Sequence, residues 1–189
     1  MVPGLWNSGP QNWQTLWQAE HPEYRRVMQR DWDHPICNEW VRTLDEYVSA
    51  TADEDGVDAV VLVAHSLGCA TVVHWAGQYA SRVGAERIDD RRKPAIVLGA
   101  LLVAPSDVEA PSYPRAASGF DPMPMARLPF RSTLVASAND PYVKTERAEA
   151  FAKAWGSRFV SIGEAGHINA DAGYGPWETG KKYLRELLR

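Results

Sequence analysis

A chain of 189 residues with 45% hydrophobic and 23% charged residues and a formal net charge of −4 has the size and composition of one globular domain, residues 1–189, burying about two-thirds of its unfolded surface. The acidic balance argues against a surface that tracks nucleic-acid phosphates, and the longest apolar run, Ala95 to Val103, is about half of what a membrane span needs. No basic, apolar leader opens the chain, so neither membrane nor nucleic acid is an expected partner and the cytoplasm is the expected location.

Strand-like and helix-like segments then alternate, which predicts a mostly parallel sheet covered on both faces. A first strand is expected just before the Pro3-Gly4 turn, yet only Met1 and Val2 precede it, so that strand is a stub or lies upstream of the first residue. Tyr24 to Arg30 can form a strand. Asn38 to Ala50 reads as a helix, because Trp40, Val41, Leu44, Tyr47 and Val48 recur at helical spacing. Val57 to Ala64 is a strand and Leu67 to Tyr79 a helix apolar on most sides, as a helix packed deep against a sheet should be. The basic run Arg91-Arg92-Lys93 follows Asp89-Asp90 and reads as a solvated turn. Strands are expected at Ala95 to Val103, Ser132 to Ala138 and Arg158 to Ile162, and helices at Glu146 to Trp155 and Trp177 to Leu188. Pro105 to Pro129 holds six prolines and is expected to form an ordered lip over a pocket.

Ala64-His65-Ser66-Leu67-Gly68 sits between a strand and a helix, and that order is how an α/β-hydrolase presents its nucleophile. The turn is tight, so the positions two before and two after the serine must be small, as Ala64 and Gly68 are. A serine hydroxyl is a weak nucleophile at neutral pH and needs an imidazole to take its proton and a carboxylate to hold the imidazole. In this fold the chain order is serine, acid, histidine. Asp140, just beyond the strand ending at Ala138, and His167, in the glycine-flanked loop beyond the last strand, lie where that order requires. Asp107 and Glu164 are rival acids. Asp107 follows the preceding strand, while Glu164 lies only three residues before the histidine.

An oxyanion hole needs the N–H after the nucleophile, that of Leu67, and a second from the loop after the first strand, for which Leu5 in Pro3-Gly4-Leu5-Trp6-Asn7 is the candidate. His65 is expected to shape the pocket wall or bond to backbone, and Trp6 and Trp177 to stand near the substrate. Remaining polar candidates have plainer readings. His74 reads as a satisfied core histidine and Cys69 as a buried thiol. Cys37 and Cys69 make no disulfide framework. His34 and Cys37 with Asp31 and Asp33 suggest a metal site only weakly, since no matching pair occurs elsewhere, so no metal and no cofactor are expected. Eight tryptophans without interleaved basic residues suit core and pocket packing rather than base stacking.

On Val2-Pro3-Gly4 to Trp13, Ala64 to Gly68, Ser137 to Val143, Glu164 to Asn169 and the tail at Gly175-Pro176-Trp177, the chain resembles small α/β-hydrolases of the YdeN type, the group that includes the retinoblastoma-binding-protein-nine-like serine hydrolases. The resemblance implies a three-layer α/β-hydrolase fold, a sheet of about five to six strands without a large cap domain, and a triad on Ser66, Asp140 and His167. The expected activity is hydrolysis of a small-molecule carboxylic ester through an acyl-enzyme, with short acyl groups favoured by the lack of a large lid. Sheet order 2-1-3-4-5-6 would place the nucleophile at the switch point. Thioester or amide hydrolysis would use the same residues, and a binding module could retain an inherited triad.

Overall fold

The computed structural model describes residues 1–52, 54, 56–57, 59–79 and 97–189. The Arg91-Arg92-Lys93 turn and the first two residues of the strand expected from Ala95 lie outside them. Among the described residues nine regular elements follow in the order α1 (Trp13–Glu20), α2 (Cys37–Ala52), β1 (Val60–His65), α3 (Leu67–Tyr79), β2 (Val97–Val103), β3 (Arg131–Ala136), α4 (Thr145–Trp155), β4 (Arg158–Ser161) and α5 (Glu178–Leu187).

The four described strands pair in parallel in the order β1-β2-β3-β4. The described residues thus hold four of the five to six strands expected, and two further lanes are present as stubs. Val2 makes a single parallel bridge to Ala64 on the open side of β1, with Val2 N–H to Val63 O at 2.8 Å and His65 N–H to Val2 O at 3.1 Å. Pro3, which has no N–H to give, follows at once. On the outer side of that stub, the Val27 N–H reaches Met1 O at 2.9 Å. Tyr24 to Arg30 is thus not the expected strand but an irregular segment held by this one rung. These two lanes lie in the places of strands 2 and 1 of the order 2-1-3-4-5-6, reduced to one contact each.

Side chains alternate across the sheet as the two-residue period demands. Leu62 and Ala64 of β1, Ala100 and Leu102 of β2 and Leu134 and Ala136 of β3 face a core shared with α2, α3 and α4. Val63, Leu101, Val103 and Val135 face a second core formed with Trp13 and Trp17 of α1 and Leu184 and Leu187 of α5. The result is the three-layer arrangement expected. Helix α1 was not foreseen, though it carries a start signal: the Asn12 side chain accepts from the Gln14 N–H, an N-cap. Five of the eight tryptophans, Trp13, Trp17, Trp40, Trp75 and Trp155, are fully buried, so most serve as core. Among the described residues no helix is long and apolar enough to cross a membrane.

The proline-rich segment is ordered and tied down at its middle and at its carboxyl end. Ser118 bonds to Pro35 O and Cys37 N–H to Ser118 O, each at 2.9 Å, and Leu128 N–H to Trp155 O at 3.0 Å. The segment's own Phe120 and Met123 are buried.

Two glycines of α3 separate close approach from mere helix placement. A Cβ on Gly68 would lie 2.2 Å from Val2 O and 2.7 Å from Pro3 O, whereas one on Gly77 meets nothing within 4 Å. Gly68→Ala is expected to cost about 1–3 kcal/mol by forcing backbone apart, and Gly77→Ala to stabilise by roughly 0.5–1 kcal/mol through helix propensity. Urea denaturation of the two variants checks both signs.

Candidate active site

Ser66 stands between the end of β1 and the start of α3 at φ 57°, a left-handed conformation that costs a non-glycine residue about 1–3 kcal/mol. The surroundings over-determine it. Its N–H bonds to Val103 O and its carbonyl accepts from Cys69 N–H, both at 3.0 Å. Gly4 of the amino-terminal loop presses on it so closely that a Cβ there would sit 2.6 Å from Ser66 Cβ and 3.0 Å from its Oγ.

The hydroxyl of Ser66 lies 2.8 Å from His167 Nε2, and His167 Nδ1 lies 3.0 Å from each carboxylate oxygen of Asp140. A neutral imidazole with its proton on Nδ1 donates to Asp140 and accepts from Ser66, so one tautomer satisfies both contacts. The Asp140 side chain is wholly buried. Its position after β3 is set by an Asx turn, with Tyr142 N–H donating to Asp140 Oδ1 at 2.9 Å. The His167 loop is laced to the Asp140 loop: Ala165 N–H donates to Ser137 Oγ at 2.9 Å and Gly166 N–H to Asn139 Oδ1 at 2.7 Å. Trp13 Nε1–H, from α1, donates to Ile168 O at 2.9 Å. Neither rival acid reaches the imidazole. Asp107 pairs with Arg147, and Glu164 is exposed.

His65 is buried, and its Nε2–H donates to the His167 carbonyl at 2.9 Å, so the ring both walls the pocket and holds the His167 backbone. Burial, and then the proximity of the His167 ring, lowers its pKa to about 3. Burial likewise pushes the Cys37 thiol up to about 12 and raises that of Cys69, so both are inert thiols. His74 bonds through Nε2 to Phe120 O at 2.9 Å. Asp31 Oδ1 accepts the N–H groups of Asp33 and His34, which makes this acidic cluster a turn.

A cavity of about 300 Å³ opens over Ser66 and His167, walled by Leu5, Trp6, Ser106, Tyr113, Tyr142 and Asn169 among others. Tyr113 and Pro114 come from the proline-rich segment, which is therefore a lip of this cavity. Tyr142 stands edge-on to the His167 ring, with centroids 4.6 Å apart. Among the described residues no acceptor pairs with the N–H of Leu5 or of Leu67, and Leu5 directly follows Gly4, which packs against Ser66. Trp6 lies at the cavity mouth, 58% exposed. Trp177 does not line this cavity, a correction to its expected substrate role. Its ring packs on Trp13 and Trp17 and over Gly180, so nearness in sequence to the His167 loop gave it a place in the core instead. Ser106, which motif reasoning missed, is buried with its Oγ 3.0 Å from Ser66 Oγ. A larger cavity of about 390 Å³ lies toward the amino end of β1, lined mainly by Val60 to Val63, by side chains of α2 and by Tyr24, Arg25 and Val27.

Because the folded His65 pKa of about 3 lies below the ordinary 6.5, the unfolded chain binds the extra proton first as pH falls. The His65 contribution to stability is therefore full above pH 6.5 and declines below it, by up to about 1.4 kcal/mol per pH unit. The half-buried His74, lowered by burial too, adds in the same direction. Urea midpoints at pH 7 and 5 should differ accordingly, and the His65 ring signals should not move between these pH values in NMR. An inflection near pH 6 for His65 would contradict the burial argument.

The family model described as serine hydrolase matches residues 1–186. Comparison with curated proteins gives no match. Among solved structures, the chain is similar to a protein described as a YdeN-like hydrolase from Pectobacterium atrosepticum, at 34% identity and a TM-score of 0.78 over 98% of this chain and 87% of that one. The ydeN gene product of B. subtilis shares the fold at 18% identity and a TM-score of 0.70, over 98% of this chain and 95% of that one. Est1E of Butyrivibrio proteoclasticus, solved with ferulic acid, does so at 13% identity and a TM-score of 0.67, over 99% of this chain and 87% of that one. With a match that runs from Met1 through all three loops meeting at Ser66, the chain belongs to the serine hydrolase family.

Proposed function

We propose that this hydrolase cleaves small carboxylic esters in the cytoplasm through an acyl-enzyme formed on Ser66. The observation that carries the reading is the unbroken row Ser66 Oγ, His167 Nε2, His167 Nδ1 and Asp140 carboxylate at 2.8 and 3.0 Å, beside two N–H groups without acceptors.

As Ser66 Oγ attacks the ester carbonyl, its proton passes to His167 Nε2. The resulting imidazolium is stabilised by Asp140, which also keeps the Nδ1 proton in place. Charge growing on the carbonyl oxygen is met by the N–H of Leu67, at the positive end of α3, and by that of Leu5. His167 then protonates the leaving alcohol. Water, deprotonated by His167, attacks the acyl-enzyme and the cycle closes with the proton back on Ser66. No cofactor enters any step. The cavity of about 300 Å³ is at the small end for ligand sites, which supports short acyl groups.

A fluorophosphonate probe followed by intact-mass analysis tests the reading. One adduct is expected on the native chain and none on Ser66→Ala. A folded native protein that takes no adduct would leave a binding module as the better account. Asp140→Asn should lower kcat by about 10³–10⁴-fold, since the imidazole loses its useful tautomer. Across a series of p-nitrophenyl esters, turnover should be highest for acetate to butyrate; a steady rise toward long acyl chains removes the assignment of small substrates.

A further inference from the structure

The Ser66 hydroxyl has one proton, and it is committed to His167 Nε2 at 2.8 Å. The contact between Ser66 Oγ and Ser106 Oγ at 3.0 Å therefore has only one consistent direction: Ser106 donates and Ser66 accepts. Ser106 is 1% exposed and has little freedom to do otherwise. It lies two residues after Ala104, held at φ 47° with its N–H on Val135 O at 2.8 Å. It precedes Asp107, whose N–H bonds to Tyr142 O at 2.9 Å and whose carboxylate pairs with Arg147. The carbonyl of Val103, three residues before Ser106, accepts the Ser66 N–H. The end of β2 and the connection after it thus grip Ser66 at its backbone and at its side chain.

We infer that Ser106, its hydroxyl 3.0 Å from Ser66 Oγ, is a further catalytic residue, the donor that serves the departing Ser66 oxygen when the acyl-enzyme breaks down. The inference rests on the acyl-enzyme reading above. In the acyl-enzyme, Ser66 Oγ is an ester oxygen, a poor acceptor. When water has added and the tetrahedral intermediate collapses, the C–Oγ bond breaks, its electron pair returns to Oγ, and the proton on His167 Nε2 moves to that oxygen. Ser106 keeps its own proton throughout. Its hydrogen bond strengthens as charge grows on Oγ, so it stabilises this transition state more than the state before it. In acylation the starting hydroxyl oxygen already accepts from Ser106, so little is gained there.

Ser106→Ala should therefore slow deacylation about tenfold, the effect of one neutral hydrogen bond, with acylation nearly unchanged. Stopped-flow hydrolysis of p-nitrophenyl acetate separates the two. The expected result for Ser106→Ala is a burst of native rate and amplitude followed by a slower steady state, with kcat and KM falling together and kcat/KM preserved. Ser106→Thr, which keeps the hydroxyl, should retain the native steady-state rate, a rescue that loss of packing alone would not predict. A Ser106→Ala variant equal to the native protein, or one in which kcat/KM falls as far as kcat, overturns the role of Ser106 while leaving the Ser66 reading intact. A native protein that shows neither burst nor turnover overturns both.

Discussion

The geometry of the site depends on one constraint, the left-handed turn at Ser66. A residue held there needs neighbours that leave it no alternative, and here they are mostly backbone. Gly68 lets the first turn of α3 rest on the carbonyls of Val2 and Pro3, and Gly4 lets the amino-terminal loop rest on Ser66 itself. The turn thus aims the hydroxyl at His167 and also docks the loop that carries the Leu5 N–H. A short first lane, one bridge long, suffices because its work is to deliver Pro3-Gly4-Leu5 to the turn rather than to extend the sheet. Gln14 reinforces the docking from α1, its Nε2 donating to Val63 O at 3.2 Å and its Oε1 accepting from the Ser8 hydroxyl at 2.6 Å.

The histidine is held by a different kind of support. Its loop has no ladder to join, and Ile168, the next residue, is itself left-handed at φ 48°. Four side chains from three places hold it instead: Ser137 and Asn139 from the Asp140 loop, Trp13 from α1 and His65 from the end of β1. All four contacts are to backbone. The imidazole is therefore placed by the path of its main chain, which leaves the ring nitrogens free for Asp140 and Ser66. A neutral His65 suits this role, since a second imidazolium beside His167 would oppose the positive charge that the proposed proton transfer puts there.

Much of this was legible in the sequence where a physical period or a chain order constrained the answer. Helix α3 was read with its observed bounds because Ser66-Leu67-Gly68 marks its start. Strands β1, β2 and β3 were placed to within a few residues at their described ends by apolar runs between turn signals. Asp140 and His167 meet Ser66 because both lie just past the carboxyl ends of parallel strands, where loops converge. The failures also have causes. Tyr24 to Arg30 has strand-like composition, but a strand needs a partner ladder, and the stub beside it offers one rung. Trp177 neighbours the right loop in sequence, yet its own left-handed backbone at φ 42° turns the ring into the aromatic core. Ser106 has no signature at all, because a serine after a strand is common and only the crossing of β2 past the Ser66 turn makes it a neighbour of the nucleophile.

The division between core and cavity explains how such a fold can hold its chemistry constant while its pocket varies. The two cores are filled by side chains from strands and helices, and the Ser66–His167–Asp140 row hangs from the strand ends. The cavity walls come largely from segments outside regular elements: Trp6 from the amino-terminal loop, Tyr113 and Pro114 from the proline-rich lip, Tyr142 and Asn169 from the loops after β3 and β4. Substituting Trp6, exposed at the mouth, removes no core contact of that size. Replacing Trp13 empties a fully buried site and releases the Ile168 carbonyl that anchors the histidine loop. Substrate choice is therefore open to change at the lip, whereas the position of His167 is bound to the stability of the fold.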